Sequence, residues 1–325
     1  MDTFLAIRFM GRSKIKDVLQ RSEKGKMEEL IGNDKVKETL KNMVKNQKVA
    51  HSYLFSGIEG IGKTLFAREF AKTLLCEEQK EMPCGKCRSC RSFAENNHPD
   101  FMQIEPDGKA IKIEQIRYMQ EKIAEKPIQS NFKIYILKDA DTMTREAQNS
   151  LLKTLEEPPM YARMILVTSN ENKLLNTIKS RCIKIPFLPI EMEKIKKYMQ
   201  KNFSMELSEN ELTVCAGSIG KAIGVQELLA QYRQIEGMIQ NLDKQDLLSS
   251  LKESEFLHKE KDNILELLDY MLVILYKSKD RAKINAIHYV EDTKQRILAN
   301  SNYDMAIDYL WIRVWEEVNE KYNRC

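Results

Sequence analysis

At 325 residues the chain has room for two or three domains of ordinary size. Its 42% hydrophobic content supports real cores, and its 31% charged content points to a soluble protein. The net charge of +4 lies within residues 1–26, which hold seven basic residues (Arg8, Arg12, Lys14, Lys16, Arg21, Lys24, Lys26) and three acidic ones (Asp2, Asp17, Glu23). Seven less three is four, so residues 27–325 are neutral overall, which argues against a stand-alone nucleic-acid binder. The same 26 residues are no signal peptide, because Arg8 interrupts the apolar stretch Phe4 to Met10. They read as a poorly ordered basic extension with Met27 as the natural start; the rival reading is an arm that touches DNA. Glycine is scarce, 12 in 325, so a helix-rich protein is expected.

In chain order, Val36 to Val44 has helical spacing and Tyr53-Leu54-Phe55 reads as a first strand. Gly57-Ile58-Glu59-Gly60-Ile61-Gly62-Lys63-Thr64 follows, a complete G-x-x-x-x-G-K-T phosphate loop, and opens a helix-forming stretch from Leu65 to Leu75. The glycines let backbone N–H groups converge on phosphate oxygens, and the helix dipole adds positive potential there. Lys63 would meet the β- and γ-phosphates of ATP, and Thr64 would ligate Mg²⁺. Strands are predicted at Phe101 to Ile104, Lys133 to Leu137, Met164 to Thr168 and Cys182 to Ile185. Between them lie helical patterns with Ile113, Ile116, Met119 and Ile123 on one, and Arg145 to Leu155 on another. Strands alternating with helices imply an α/β fold with a parallel sheet, whose ligands bind at the carboxyl ends of the strands.

Beyond Pro189 the strand signals stop. The domains expected are a nucleotide-binding domain over 27–188, a small helical lid over 189–228 and a second helical domain over 229–325. The longest apolar run, Met271 to Tyr276, is too short for a membrane span and reads as a buried helix face. A last helix capped by Ser301 or Asn302 would line one face with Met305, Tyr309 and Ile312.

Seven cysteines without a secretory signal argue against disulfides. Four are grouped as Cys76, Cys84, Cys87 and Cys90, and Cys84-Gly85-Lys86-Cys87 forms a knuckle that aims two thiolates at one metal. Four thiolates suit a structural Zn²⁺ with a closed coordination shell, in a module over 76–91, with Lys86, Arg88 and Arg91 offsetting its charge. Redox chemistry at the CxxC pairs is the competing reading.

Several further residues carry a resemblance. Leu30-Ile31-Gly32-Asn33, Ala50-His51-Ser52 leading into the loop, the cysteine cluster, His98-Pro99-Asp100, the run from Asn149 through Glu156-Glu157-Pro158-Pro159, and Ser180-Arg181-Cys182 resemble the clamp-loader ATPases of bacterial DNA polymerase III, in the AAA+ class. The resemblance runs nearly full length from Met27. It implies a AAA+ domain with a zinc insertion, a helical lid and an oligomerising helical collar. It implies Ile31, Gly57, Gly60, Gly62, Lys63 and Thr64 as the ATP-binding set, and Arg181 as a finger reaching a neighbouring subunit's ATP. Implied partners are the gamma/tau and delta subunits, with the sliding clamp and primed DNA met through the complex. The implied setting is the cytoplasmic replication machinery, as a component of a DNA-directed DNA polymerase, with no membrane.

Two departures separate this chain from the motor type. Thirteen residues before Leu151, where a motor has Asp-Glu, stand Lys138 and Asp139. Where a motor has an arginine in Gly-Ser-Met-Arg-Asp-Ala, the chain reads Gly217-Ser218-Ile219-Gly220-Lys221-Ala222. A stator-type subunit that binds ATP and hydrolyses little is therefore expected. The alternatives are a motor-type gamma/tau ATPase, an autonomous DNA-stimulated repair ATPase and a zinc-dependent nucleic-acid module.

Overall fold

A computed structural model describes residues 30–78 and 80–319. The basic extension over 1–26, Met27 and Cys325 lie outside the described residues. Those residues form two compact units, one of 30–203 with 217–220 and one of 204–216 with 221–319.

The first unit is α/β. In chain order it carries α1 (Asp34–Lys45), β1 (Ser52–Ser56), α2 (Lys63–Leu75), α3 (Arg88–Ala94), β2 (Phe101–Ile104), α4 (Ile113–Ala124), β3 (Lys133–Leu137), α5 (Arg145–Glu156), β4 (Ala162–Thr168), α6 (Asn176–Lys179), β5 (Ile183–Pro186) and α7 (Met192–Phe203). The strands pair parallel in the order β2-β3-β4-β1-β5. Every residue of β1, β3 and β4 is buried, as befits central strands covered on both faces. Alternation sorts their side chains. Leu54, Tyr135, Leu137, Met164 and Leu166 pack with Ile116, Met119 and Ile123 of α4 and with Leu151 and Leu155 of α5. On the opposite face Tyr53 meets Phe70 of α2 edge-on at 5.4 Å, and Phe66 meets Phe187 at 5.1 Å. Burying each such ring contributes about 1.5–3 kcal/mol. The sheet matches the expected α/β architecture, with β5 shifted one residue later than predicted. Cys182 is instead buried in the α4–α5 layer, just ahead of the strand.

The second unit is all helical: α8 (Glu209–Cys215), α9 (Ile219–Asn241), α10 (Leu247–Ser254), α11 (Ile264–Lys277), α12 (Arg281–Asn285), α13 (Ile287–Leu298) and α14 (Tyr303–Asn319). Helix α9 runs unbroken through residue 228, and its first two residues, Ile219 and Gly220, belong to the α/β unit. Tyr232 of α9 and Tyr270 of α11 stack at 3.9 Å between centroids, and the Tyr270 hydroxyl donates to Glu236 at 2.5 Å. Trp311 is fully buried with its indole N–H donating to Ser250 Oγ at 2.8 Å.

Asn302 caps α14, accepting from the Met305 N–H at 3.0 Å. The face lined by Met305, Tyr309 and Ile312 is not the inward one. Ala306, Ile307, Leu310, Trp311, Val314 and Val318 are buried, while Met305 is 70% exposed. Both stripes have helical spacing; the one bearing Trp311 buries the larger apolar area and sets the rotation.

Candidate functional site

The phosphate loop joins β1 to α2 beside β4, at the carboxyl ends of the strands. Its backbone has the required left-handed conformations, with φ of 72° at Gly60 and 98° at Gly62. Lys63 and Thr64 are the first two residues of α2. Lys63 is buried, and its ammonium turns back on the loop, donating to Gly57 O and Ile58 O at 2.7 Å each and to Ser169 Oγ at 3.3 Å. Burial lowers its pKa, and Asp139, Asp141 and Glu59 oppose that shift.

A second segment lies against the loop. The Gly220 N–H donates to Gly60 O at 2.8 Å, and the Ser218 hydroxyl donates to Glu59 O at 2.8 Å. A Cβ on Gly220 would stand 2.8 Å from Gly60 Cα, and one on Gly60 would stand 2.5 Å from Ser218 Oγ. Glycine at 220 is thus more than a missing arginine: backbone meets backbone where any side chain would intrude. Lys221, the next residue, pairs with Asp269 of the helical unit at 3.8 Å. The predicted Ile31 precedes a stretch that packs on residues 188–190. A Cβ on Gly32 would stand 2.9 Å from Ile190, and Asn33 exchanges two hydrogen bonds with the Leu188 backbone, at 2.8 and 3.2 Å. Phe187 in turn abuts Gly57, where a Cβ would lie 2.7 Å from its carbonyl oxygen.

At the end of β3, Lys138 reaches Glu105 at 3.1 Å, past the end of neighbouring β2. Asp139 has a left-handed backbone with φ of 52°, and burial raises its pKa. Asp141 accepts from Thr168 Oγ1 at 2.8 Å and from the Ser169 N–H at 3.1 Å. From sequence, Asp141 is a substitute carboxylate whose spacing does not match, and Ser169 is not singled out. The signal for Ser169 is position alone, at the end of β4 beside β1, where parallel sheets bind ligands.

Arg181 lies apart from this cluster, between α6 and β5. Its guanidinium donates to Glu156 Oε1 at 2.7 Å and to Thr177 O at 2.9 Å, and its side chain is 34% exposed. An ion pair this exposed contributes about 0–1 kcal/mol, so the guanidinium is free to exchange partners at little cost.

The four grouped cysteines do come together, with all four Sγ atoms within 4.8 Å of one another. Zn–S bonds of about 2.3 Å at tetrahedral angles put sulfurs roughly 3.8 Å apart, so the cluster fits that ion with small adjustment. The Cys84, Cys87 and Cys90 N–H groups point at Cys76, Cys84 and Cys87 Sγ, at 3.3–3.4 Å. Backbone N–H groups of Lys86 and Cys87 bring the Cys84 thiol down to about 7. Burial pushes the Cys76 and Cys90 thiols up, the cost a bound cation would offset. Lys86 pairs with Glu78 at 3.6 Å.

Residues 32–191 match the family model described as "DNA polymerase III, delta subunit". Over 161 residues the chain is 40% identical to DNA polymerase III subunit delta' of Bacillus subtilis, covering 50% of this chain and 49% of that protein. It is 29% identical over 279 residues to the tau subunit of the same organism, covering 82% of this chain and 49% of tau. With the tau/gamma subunit of Haemophilus influenzae it shares 34% identity over 179 residues, 55% of this chain and 26% of that protein. The chain thus spans about half or less of the length of these relatives. A gamma subunit-related protein of Thermotoga maritima superposes with a TM-score of 0.48 at 19% identity, covering 87% of this chain and 99% of that one.

Proposed function

Through residues 32–191 the chain belongs to the family of DNA polymerase III clamp-loader subunits, and we propose that it is the delta-prime, stator-type member. In this reading it takes its place in a ring with gamma/tau and delta subunits in the cytoplasm. The assembled ring opens the sliding clamp and closes it on primed DNA, and this chain presents Arg181 to the ATP of an adjacent subunit. Gly57, Gly60, Gly62, Lys63 and Thr64 retain a grip for the phosphates of ATP with Mg²⁺, and Ile31 completes the ATP-binding set. Cys76, Cys84, Cys87 and Cys90 hold a structural zinc.

The observation that carries the stator reading is what stands at the two motor positions. Gly220, bonded to Gly60, lies where a motor has its arginine. Where a motor places its metal-holding carboxylate, Lys138 is turned to Glu105. A cation there opposes Mg²⁺, and Asp139 is one methylene short of the glutamate that would orient water. Arg181, by contrast, is held by an exposed pair with Glu156 and by contacts within its own turn, and its planar, permanently charged fork suits a γ-phosphate.

The motor reading has one observation in its favour, the 82% of this chain that aligns with a tau subunit. Lys138 and Gly220 oppose it. The test is a ring reconstituted with gamma/tau and delta. Arg181→Ala should leave assembly intact and lower the ring's ATPase by at least tenfold, fingers of this kind contributing roughly 10³–10⁵ in rate. Unchanged ATPase would remove the finger role.

A further inference from the structure

Next to the cysteine cluster lies a buried polar network that the nucleotide site does not use. Ser89, His98 and Asp100 are 0%, 5% and 2% exposed. The Asp100 N–H donates to His98 Nδ1 at 3.1 Å, so that nitrogen carries no proton and the neutral ring bears its proton on Nε2. Nε2 lies 2.8 Å from Ser89 Oγ and 3.3 Å from Ser130 Oγ. Both hydroxyls donate to one acceptor, the Leu75 carbonyl, at 2.6 and 2.9 Å. His98 is therefore a donor to Ser89 and no base for it, which excludes a Ser–His nucleophile. The Asp100 carboxylate in turn accepts the N–H groups of Ile128, Gln129 and Ser130 at 2.7–2.8 Å, fixing the turn that delivers Ser130.

The placement of these groups gives the network its meaning. Leu75 is the residue before Cys76, and Ser89 is the residue before Cys90. Those two cysteines are the buried pair of the cluster, while Cys84 and Cys87 are only partly buried. Leu75 O is held by two hydroxyls, and Ser89 is held by Leu75 O, by His98 and through its N–H by Glu77 at 3.2 Å. Two ligands are thus pinned to the α/β body by bonds that need no metal, and the other two ride on the Cys84–Cys87 knuckle.

We propose that Ser89, His98, Asp100 and Ser130 form a metal-independent anchor that pre-positions Cys76 and Cys90, making His98 a positioning residue for the four-cysteine site. This rests on the zinc reading above. The anchor halves the ordering left for the ion to impose: zinc has only to close the knuckle onto two fixed thiolates. Outer partners of metal ligands typically contribute about 10–100-fold in affinity, and this network acts one bond further out through the backbone.

The test is zinc affinity of the full chain by competition with a chromophoric chelator, with Co²⁺ absorption as a second readout of ligand geometry. His98→Asn keeps an oxygen able to accept the Asp100 N–H in an Asx turn but is too short to reach Ser89. Ser89→Ala removes the other partner and keeps the anchor falsifiable if His98→Asn does not fold. Each single variant should bind zinc about tenfold or more weakly while retaining the tetrahedral thiolate Co²⁺ spectrum at saturation. The double variant should be no weaker than the weaker single one, because both act along one path. Wild-type affinity in either single variant, or losses that multiply in the double, would overturn the anchor. An unaltered chain that takes up no zinc would overturn the zinc reading itself, a result distinct from both.

Discussion

Gly220 lies where the 217–220 segment meets the phosphate loop, and its lack of a side chain is structural as well as chemical. Gly220→Ala would bring a methyl to 2.8 Å of Gly60 Cα, a backbone atom that cannot swing aside. Overpacking of this kind costs about 1–3 kcal/mol, so a urea titration of the α/β unit's transition should shift by that amount. A variant as stable as the parent would show that the segment is not seated on the loop. His98 carries a pH prediction. Burial lowers its pKa from the ordinary 6.5, so the unfolded chain binds the proton more readily than the folded one. Stability is then fully present above about pH 6.5 and is lost as pH falls below it towards the folded pKa. In metal-free protein the stability advantage of the parent over His98→Asn should shrink between pH 7 and pH 5.5; a constant difference would mean that His98 is not buried as a neutral ring.

At the scale of elements, the zinc reading makes the cysteine segment the piece that leans most on something outside the chain. Helix α3 has only seven residues, too short to persist alone, and it is held by the cluster, by the Ser89 network and by Phe93 against Phe101 at 4.7 Å. Removing zinc with a chelator should make Cys84 and Cys87 open to a thiol reagent while far-UV circular dichroism changes little. Burial keeps Cys182 and Cys215 at about 12, and both should stay unreactive. Loss of most helical signal on chelation would mean that the ion holds the α/β unit together. Much of this was legible beforehand. The strands could be read because continuous apolar runs such as Leu54-Phe55 and Ile134 to Leu137 are buried on both faces. The loop was legible because its glycines are local signals. What escaped was long-range: the rotation of α14, decided by where Trp311 finds Ser250, and Ser169, whose role is defined by Lys63, 106 residues away in sequence. The Ser89–His98 bond escaped for the same reason, since neither residue marks the other in the sequence.

For the whole molecule, the two departures from a motor turn out to be two contacts, Lys138 with Glu105 and Gly220 with Gly60. Beside an intact phosphate loop, they support the proposed reading of a chain that binds ATP and hydrolyses little of it. In the proposed reading Arg181 serves a neighbouring subunit's ATP, and Glu156→Gln should release its guanidinium with a stability change of at most about 1 kcal/mol, read by thermal or urea unfolding. A larger loss would mark the pair as structural. The central claim is that this chain assists hydrolysis without performing it. The most direct measurement is steady-state ATP turnover by the isolated full chain and its Lys63→Ala variant, set beside the reconstituted ring. The account predicts that the isolated chain turns over at least a hundredfold more slowly than the ring and that Lys63→Ala makes no difference to that residue of activity. Turnover by the isolated chain at the ring's rate, abolished by Lys63→Ala, would contradict it.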